Sequence, residues 1–233
     1  MNSGKETYII FVVRDDSRSS DLLFQTIVTT YEAYNVWGGK SLYDGPPATK
    51  VSFDRPYLPG NVPRLSSAPR FLIWEYPMVR FLEREGYDVT YCSNVDIHRS
   101  KTLLTSHRAF LSVGHDEYWS WEMRSNVERA RDHGVSLGFF CANSCYWQIR
   151  FEPNSTGSPD RTIVCYKSTS DPVSTTPLKE RTTVEWRQDP VNRPKDDLIG
   201  VMYNFWNLDE PLVIADASHW VCANTGVILG DHR

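Results

Sequence analysis

The chain has 233 residues, enough for one sizeable core and too few for two equal domains. Its 25 Lys and Arg are outnumbered by 29 Asp and Glu, giving a net charge of -4, and both signs are scattered along the whole length, so no basic face for nucleic acid is expected. No run approaches the roughly 18 to 20 apolar residues of a membrane span and the N-terminus lacks a signal-peptide pattern, so the expected setting is cytoplasmic, with no membrane partner.

In chain order, residues 8–13 read as a compact apolar strand, 14–20 as a polar connection and 22–28 as a second strand. Residues 36–68, with Gly38-Gly39 and Gly45-Pro46-Pro47, read as a long loop carrying at most a short hairpin. Its aromatic residues favour order beside a site. Trp74, Pro77, Met78, Phe81 and Leu82 share one helical stripe, Pro77 suits a first turn and Gly86 a C-terminus, so a helix of about three turns is expected. Strands follow at 87–91 and 110–113, the latter ending at Gly114. Trp119, Met123, Val127 and Ala130 then recur at helical spacing up to Gly134, with Asp116 as the expected cap, and 135–140 is a strand. This alternation predicts an α/β fold, a mainly parallel sheet covered on both faces, with ligands at the carboxyl ends of its strands. Beyond Tyr146 only strand-like pieces (162–166, 182–186, 212–215) separated by polar loops are expected, a strand- and loop-rich C-terminal part.

The five cysteines are odd in number, widely spaced and set in apolar stretches, which favours structural thiols. Cys141 and Cys145 have a spacing that a metal site can use, but no further Cys/His pair completes a zinc pattern. Eight Trp and twelve Tyr gather beside Gly, Asn and His, at 31–43, 118–121 and 146–147, as the wall of a pocket would.

Chemistry concentrates where the strand 110–113 turns at Gly114 and displays His115, Asp116 and Glu117. Glu117 there is either a functional carboxylate or a first-turn acid. His115 is either a general base or a hydrogen-bonded structural imidazole. Asn143 follows the next strand and can orient a water or polarise a carbonyl, or simply stabilise a turn. Lys167 ends the strand 162–166 and points either at the same edge or into solvent. Tyr34 follows the strand 22–28; as a ligand its phenolate would require a strongly Lewis-acidic cation, with ferric iron the natural one, whereas most tyrosines are packing residues. His219 has no such context and reads as structural.

Taken together, Thr30-Tyr31-Glu32-Ala33-Tyr34-Asn35, Trp37-Gly38-Gly39-Lys40-Ser41-Leu42-Tyr43, Ser52-Phe53-Asp54-Arg55-Pro56-Tyr57, Gly114-His115-Asp116-Glu117-Tyr118-Trp119-Ser120 and Ala142-Asn143 with Tyr146-Trp147 resemble the C-terminal region of the N,N-dimethylformamidase large (beta) subunit, over roughly 22–230. The resemblance implies a three-layer αβα domain similar to class I glutamine amidotransferases (flavodoxin-like), spanning 21–233, with 1–20 the strand and connection left from a preceding domain. It implies a mononuclear, ferric iron held by two tyrosines and a glutamate. On that pattern Tyr34 looks like the second tyrosine ligand and Glu117 like the glutamate. His115 and Asn143 look like the residues flanking the iron-bound water and the substrate carbonyl, and Lys167 is a further match. The implied reaction is hydrolysis of a small amide to formate and amine, in an assembly with a small subunit and further copies of the chain.

Two departures accompany the match. The family's first tyrosine follows a Ser-Gly pair, whereas Ser3-Gly4 here precedes Lys5, so that ligand is expected to be missing. The chain also ends at Arg233, ahead of a family region that supplies another active-site glutamate, as expected of a fragment or a degenerate relative. A non-catalytic binding or structural module on the same scaffold is therefore the alternative. A cysteine-dependent amidotransferase is disfavoured, since the turn at 114–117 holds no cysteine.

Overall fold

A computed structural model of the chain describes residues 10–44, 46–57, 70–203, 209–211 and 213–231. They belong to two compact units, Met1–Met202 and Tyr203–Arg233. The first unit runs β1 (Leu22–Thr26), α1 (Val28–Ala33), β2 (Lys50–Ser52), α2 (Tyr76–Arg84), β3 (Val89–Ser93), α3 (Asn94–Arg99), β4 (Ala109–His115), β5 (Tyr118–Ser120), α4 (Trp121–Asp132), β6 (Ser136–Ala142), β7 (Trp147–Glu152), β8 (Thr162–Val164) and α5 (Asp196–Ile199). The fold is α/β.

The apolar runs read from the sequence make a four-stranded parallel sheet in the order β3-β1-β4-β6. Successive residues of β1 face opposite ways: Leu23 packs with Ile97, Phe110, Met123 and Val127 under α3 and α4, whereas Phe24 packs with Leu82 and Val113 under α2. Helices therefore lie on both faces. From β1 the chain steps outward to β3 and then crosses back to β4 on the other side, so the topological switch point, where the carboxyl ends diverge into a crevice, lies between β1 and β4.

A second, mixed sheet has the order β2-β8-β7-β5, antiparallel except for the β7–β5 pair. Leu42, Val51, Tyr118, Ile149 and Ile163 form its core. Neither β2 nor β7 was expected, because three- and six-residue strands with mixed polarity gain their stability from partners distant in sequence.

Several expectations need correction. β4 continues through Gly114 to His115, and β5 intervenes before α4, so the strand does not turn directly into a helix. Ser120, not Asp116, caps α4: its Oγ accepts from Met123 N at 3.1 Å. The expected helix at 74–82 begins with a π-helical turn, Phe71–Glu75, and Trp74 is about half exposed, not packed on the core. Residues 10–13 form no strand, and Tyr8 and Ile9 lie outside the described residues. Residues 182–186 contribute a single bridge, Glu185 to Trp147. Leu212 lies outside the described residues, and 213–215 form no strand.

All five cysteines are free. Burial pushes the thiols of Cys145 and Cys165 up to about 12, in keeping with inert packing groups. Among the described residues no helix is long and apolar enough to cross a membrane. In the second unit His219 stands at the start of a short 3-10 turn, Trp220–Cys222, and its Nδ1 accepts from Val221 N at 3.3 Å.

Candidate active site

The turn after β4 is tied down on every side. Gly114 has φ +99°, and a Cβ built there would lie 2.9 Å from the Cβ of Trp74, so both backbone conformation and space call for glycine. Glu117 N donates to Thr30 Oγ1 of α1 at 3.0 Å, and its carbonyl accepts from the amides of Tyr146 and Trp147, each at 2.9 Å. The fully buried Asp116 carboxyl accepts from Gln25 Nε2 (2.7 Å), Ser112 Oγ (2.7 Å) and Asn94 Nδ2 (3.2 Å), linking β1, β4 and α3. Burial raises its pKa to about 6 against the pull of these donors. Asp116 is thus a structural tie, while the buried Glu117 carboxylate faces the hydroxyls of Tyr34 and Tyr43.

Tyr34 and Tyr43 reach Glu117 from the segment after β1. Leu42 N donates to Ala33 O at 2.9 Å, folding the segment back on α1, and Ser41 Oγ accepts from the amides of Tyr43 (2.9 Å) and Asp44 (2.8 Å). Gly38 and Gly39, at φ +78° and +83°, turn the chain in between. The Arg55 guanidinium spans this turn, donating to the carbonyls of Trp37 and Lys40 and pairing with the buried Glu32 carboxylate. The result is two stacked phenol rings, 4.3 Å between centroids and 20° apart in plane.

Around Glu117 the polar groups converge. Tyr34 Oη donates to Oε2 at 2.8 Å and Tyr43 Oη donates to Oε1. His115 Nε2 lies 3.2 Å from Oε2, and Asn143 Nδ2 lies 3.2 Å from the same imidazole nitrogen. The register explains the last contact: Ala142 on β6 pairs with His115 on β4, so Asn143 is the next residue past the shared edge. Arg70 closes one side, its guanidinium carbon 4.6 Å from the Tyr34 ring centroid and its Nη1 3.5 Å from His115 Nδ1. Lys167 closes the other. Its Nζ, buried and without a hydrogen-bond partner, stands 3.2 Å from the Tyr43 ring centroid and 5.1 Å from that of Trp147.

The electrostatics separate the roles. Burial pushes the Glu117 pKa up, but hydrogen bonds from His115, Tyr43 and Tyr34 outweigh it, and the net shift is downward. Burial first, and the Glu117 charge second, push both phenols upward. Protons therefore stay on the phenols and the negative charge on the carboxylate. Burial lowers Lys167 to about 8.

The structure thus brings Tyr34, Glu117, His115, Asn143 and Lys167 to one edge, near the switch point. Three participants had no role assigned from sequence: Tyr43 and Thr30, which stand only inside motifs, and Arg70. A fixed offset from Tyr34 across a Gly-Gly turn was the available signal for Tyr43. A cavity of about 380 Å³ opens elsewhere, beside Thr26, Tyr31, Ser93 and Asp96 on the β1–β3 side, and none of the five residues lines it. The convergence of ionisable groups, not that cavity, makes this edge the candidate site. Among the described residues no group of three or more His, Cys, Asp and Glu side chains could hold a metal ion, so a metal at this edge would depend on phenol oxygens.

No curated protein matches the chain. A family model does match, over residues 1–233: by its sequence the chain belongs to the N,N-dimethylformamidase beta subunit-like, C-terminal family.

Proposed function

We propose that this domain is an iron-dependent hydrolase of small amides, breaking the C–N bond to release formate and amine. The observation that carries the proposal is the convergence of a phenol and an imidazole on one buried carboxylate, with an amide and an unpartnered ammonium beside them. Membership of the N,N-dimethylformamidase beta subunit-like family supports hydrolysis of this kind, and its description as a subunit accords with assembly with a partner subunit. The scaffold, on this proposal, is the three-layer arrangement of class I glutamine amidotransferases.

Glu117 and Tyr34 would hold the iron. A carboxylate and a phenol oxygen are hard donors suited to ferric iron, and here they already meet, with Tyr34 Oη on Glu117 Oε2. When bound, the ion would supply Lewis acidity, making a carbonyl more electrophilic and a water more acidic. His115 handles the proton. With Nε2 unprotonated it accepts from Asn143 Nδ2 and can take a proton from the attacking water; once protonated it donates to Glu117 Oε2 and can pass that proton to the departing amine. Asn143, freed from the imidazole, offers its N–H to the carbonyl oxygen of the amide. Lys167 offers N–H donors to the same developing charge, and the rings of Tyr43, Tyr118 and Trp147 around it keep water out.

The test is amine release from N,N-dimethylformamide and formamide by the full chain, with iron content measured. Release that requires iron and falls by roughly three orders of magnitude in Glu117→Gln is expected. No release from iron-loaded wild type, or unchanged turnover in Glu117→Gln, overturns the proposal. One observation favours a non-catalytic binding module instead: both Glu117 oxygens are already satisfied by internal hydrogen bonds. Amide binding without turnover would select that module.

A further inference from the structure

The geometry points to Arg70 as a positioning residue: it holds the Tyr34 ring and the His115 imidazole in the one arrangement in which both address the same oxygen of Glu117. This rests on the function proposed above and adds a residue to it. Three observations carry it.

The first is contact. The guanidinium carbon lies 4.6 Å from the Tyr34 ring centroid and Nη1 lies 3.5 Å from His115 Nδ1, so one planar group backs both rings. Tyr43 already stacks on Tyr34 with centroids 4.3 Å apart, and two groups at such distances cannot share a face, so the guanidinium covers the opposite one. The second is convergence. Tyr34 Oη and His115 Nε2 reach a single atom, Glu117 Oε2, at 2.8 and 3.2 Å. Meeting on one oxygen requires the two rings to keep their mutual tilt, 48° between planes with centroids 5.6 Å apart. Arg70 touches the imidazole at Nδ1, leaving Nε2 to Glu117. The third is mounting. Arg70 leads into the π-helical turn Phe71–Glu75, which is closed by the amide of Tyr76 donating to Phe71 O, five residues back. In a regular α-helix the residue five positions on points well away from the first, whereas a turn widened in this way keeps both near one side. Three side chains of the turn accordingly meet the elements around the site. Arg70 meets Tyr34 and His115, Trp74 abuts Gly114, and Glu75 accepts from Tyr31 Oη and Ile27 N. The turn is thus pinned to α1, whose C-cap is Tyr34, and to β4, which ends at His115. A lysine, a point charge on a flexible stem, could not back two rings at once.

The experiment compares amine release from N,N-dimethylformamide by iron-loaded wild type, Arg70→Lys and Arg70→Ala, with and without about 50 mM guanidinium chloride, far below unfolding concentrations. Both variants are expected to lose roughly tenfold to a hundredfold in kcat with KM changed less than about twofold, because the reacting groups are displaced while binding is kept. Added guanidinium is expected to raise the kcat of Arg70→Ala at least about fivefold, by filling the vacated space, and to leave Arg70→Lys unchanged. A second readout needs neither iron nor turnover. The imidazole C–H resonance of His115, recognised as the one missing in His115→Gln, should shift and broaden in Arg70→Ala and return with guanidinium, while those of the other histidines stay in place. Full activity in Arg70→Lys, a change confined to KM, no response of Arg70→Ala to guanidinium, or an unmoved His115 resonance overturns the Arg70 assignment and leaves the proposed function standing. Wild type that releases no amine overturns that function, and the His115 resonance then decides Arg70 by itself. If Arg70→Ala does not fold, Arg70→Lys, which keeps the charge and the length, decides by the same kcat and resonance criteria.

Discussion

Two buried carboxyl groups in the first unit, Glu117 and Glu75, each accept a tyrosine hydroxyl, and they end in opposite protonation states. Glu75, on the π-helical turn, receives Tyr31 Oη and a long contact from Ile27 N at 3.4 Å, both on Oε1, while its Oε2 has no partner. Burial dominates there and lifts its pKa to about 8. Glu117 has donors on both oxygens and an imidazole beside them, and these overcome burial to bring it below the usual carboxylate value. Equal burial therefore does not decide charge; the number of donors aimed at the oxygens does. Glu75 is a neutral structural acid at moderate pH, and Glu117 is an anion able to hold a cation.

The largest effect expected from breaking that contrast is on catalysis. Glu117→Gln should remove the anion and cut amine release by roughly a thousandfold, about 4 kcal/mol, with the circular dichroism spectrum unchanged. Asp116→Asn comes next. It places an amide N–H against the donors of Gln25, Ser112 or Asn94, and should lower the unfolding free energy by about 2 kcal/mol in urea titration, with activity falling because the turn carrying Glu117 loosens. Gly114→Ala should cost about 1 to 2 kcal/mol through positive φ and the approach of Trp74, read as a melting temperature lower by roughly 2–8 °C.

The smallest effect at fixed pH belongs to Glu75→Gln, which replaces an already neutral acid and should change stability by less than about 1 kcal/mol at pH 4.5. Its pH signature is sharper. The folded pKa of about 8 exceeds the ordinary 4.5, so the folded state holds an extra proton between these values. Wild type should thus lose stability as pH rises from 5 to 8, and Glu75→Gln should flatten that slope in denaturant titrations across the range. An equally steep slope in the variant would show that Glu75 is charged when folded.

Legibility followed interaction range. The apolar runs of β1 and β4 were plain because strands covered on both faces must be almost uniformly apolar, and the edge strand β6 was legible by its composition although its residues stay partly exposed. Once they are parallel neighbours, residues just past their ends converge, and so Glu117 and Asn143 were candidates from position, whereas Tyr34 was singled out by the family resemblance. The short β5 could not, since Tyr118–Ser120 is a strand only by pairing with Trp147–Ile149. That hidden pairing also misled the reading of Asp116 as a helix cap, because the real cap lies beyond β5 at Ser120.

The sequence by itself determined the parallel α/β core, the glycine turn before His115 and the membership of its family, because burial pattern, backbone conformation and ordered motifs are written locally. Tertiary structure alone decided that Asp116 turns to Gln25, Ser112 and Asn94 while Glu117 turns to the phenols, and that Tyr43 joins Tyr34 on that carboxylate. Those outcomes depend on which donors arrive from other strands, and a buried charge settles where its partners are.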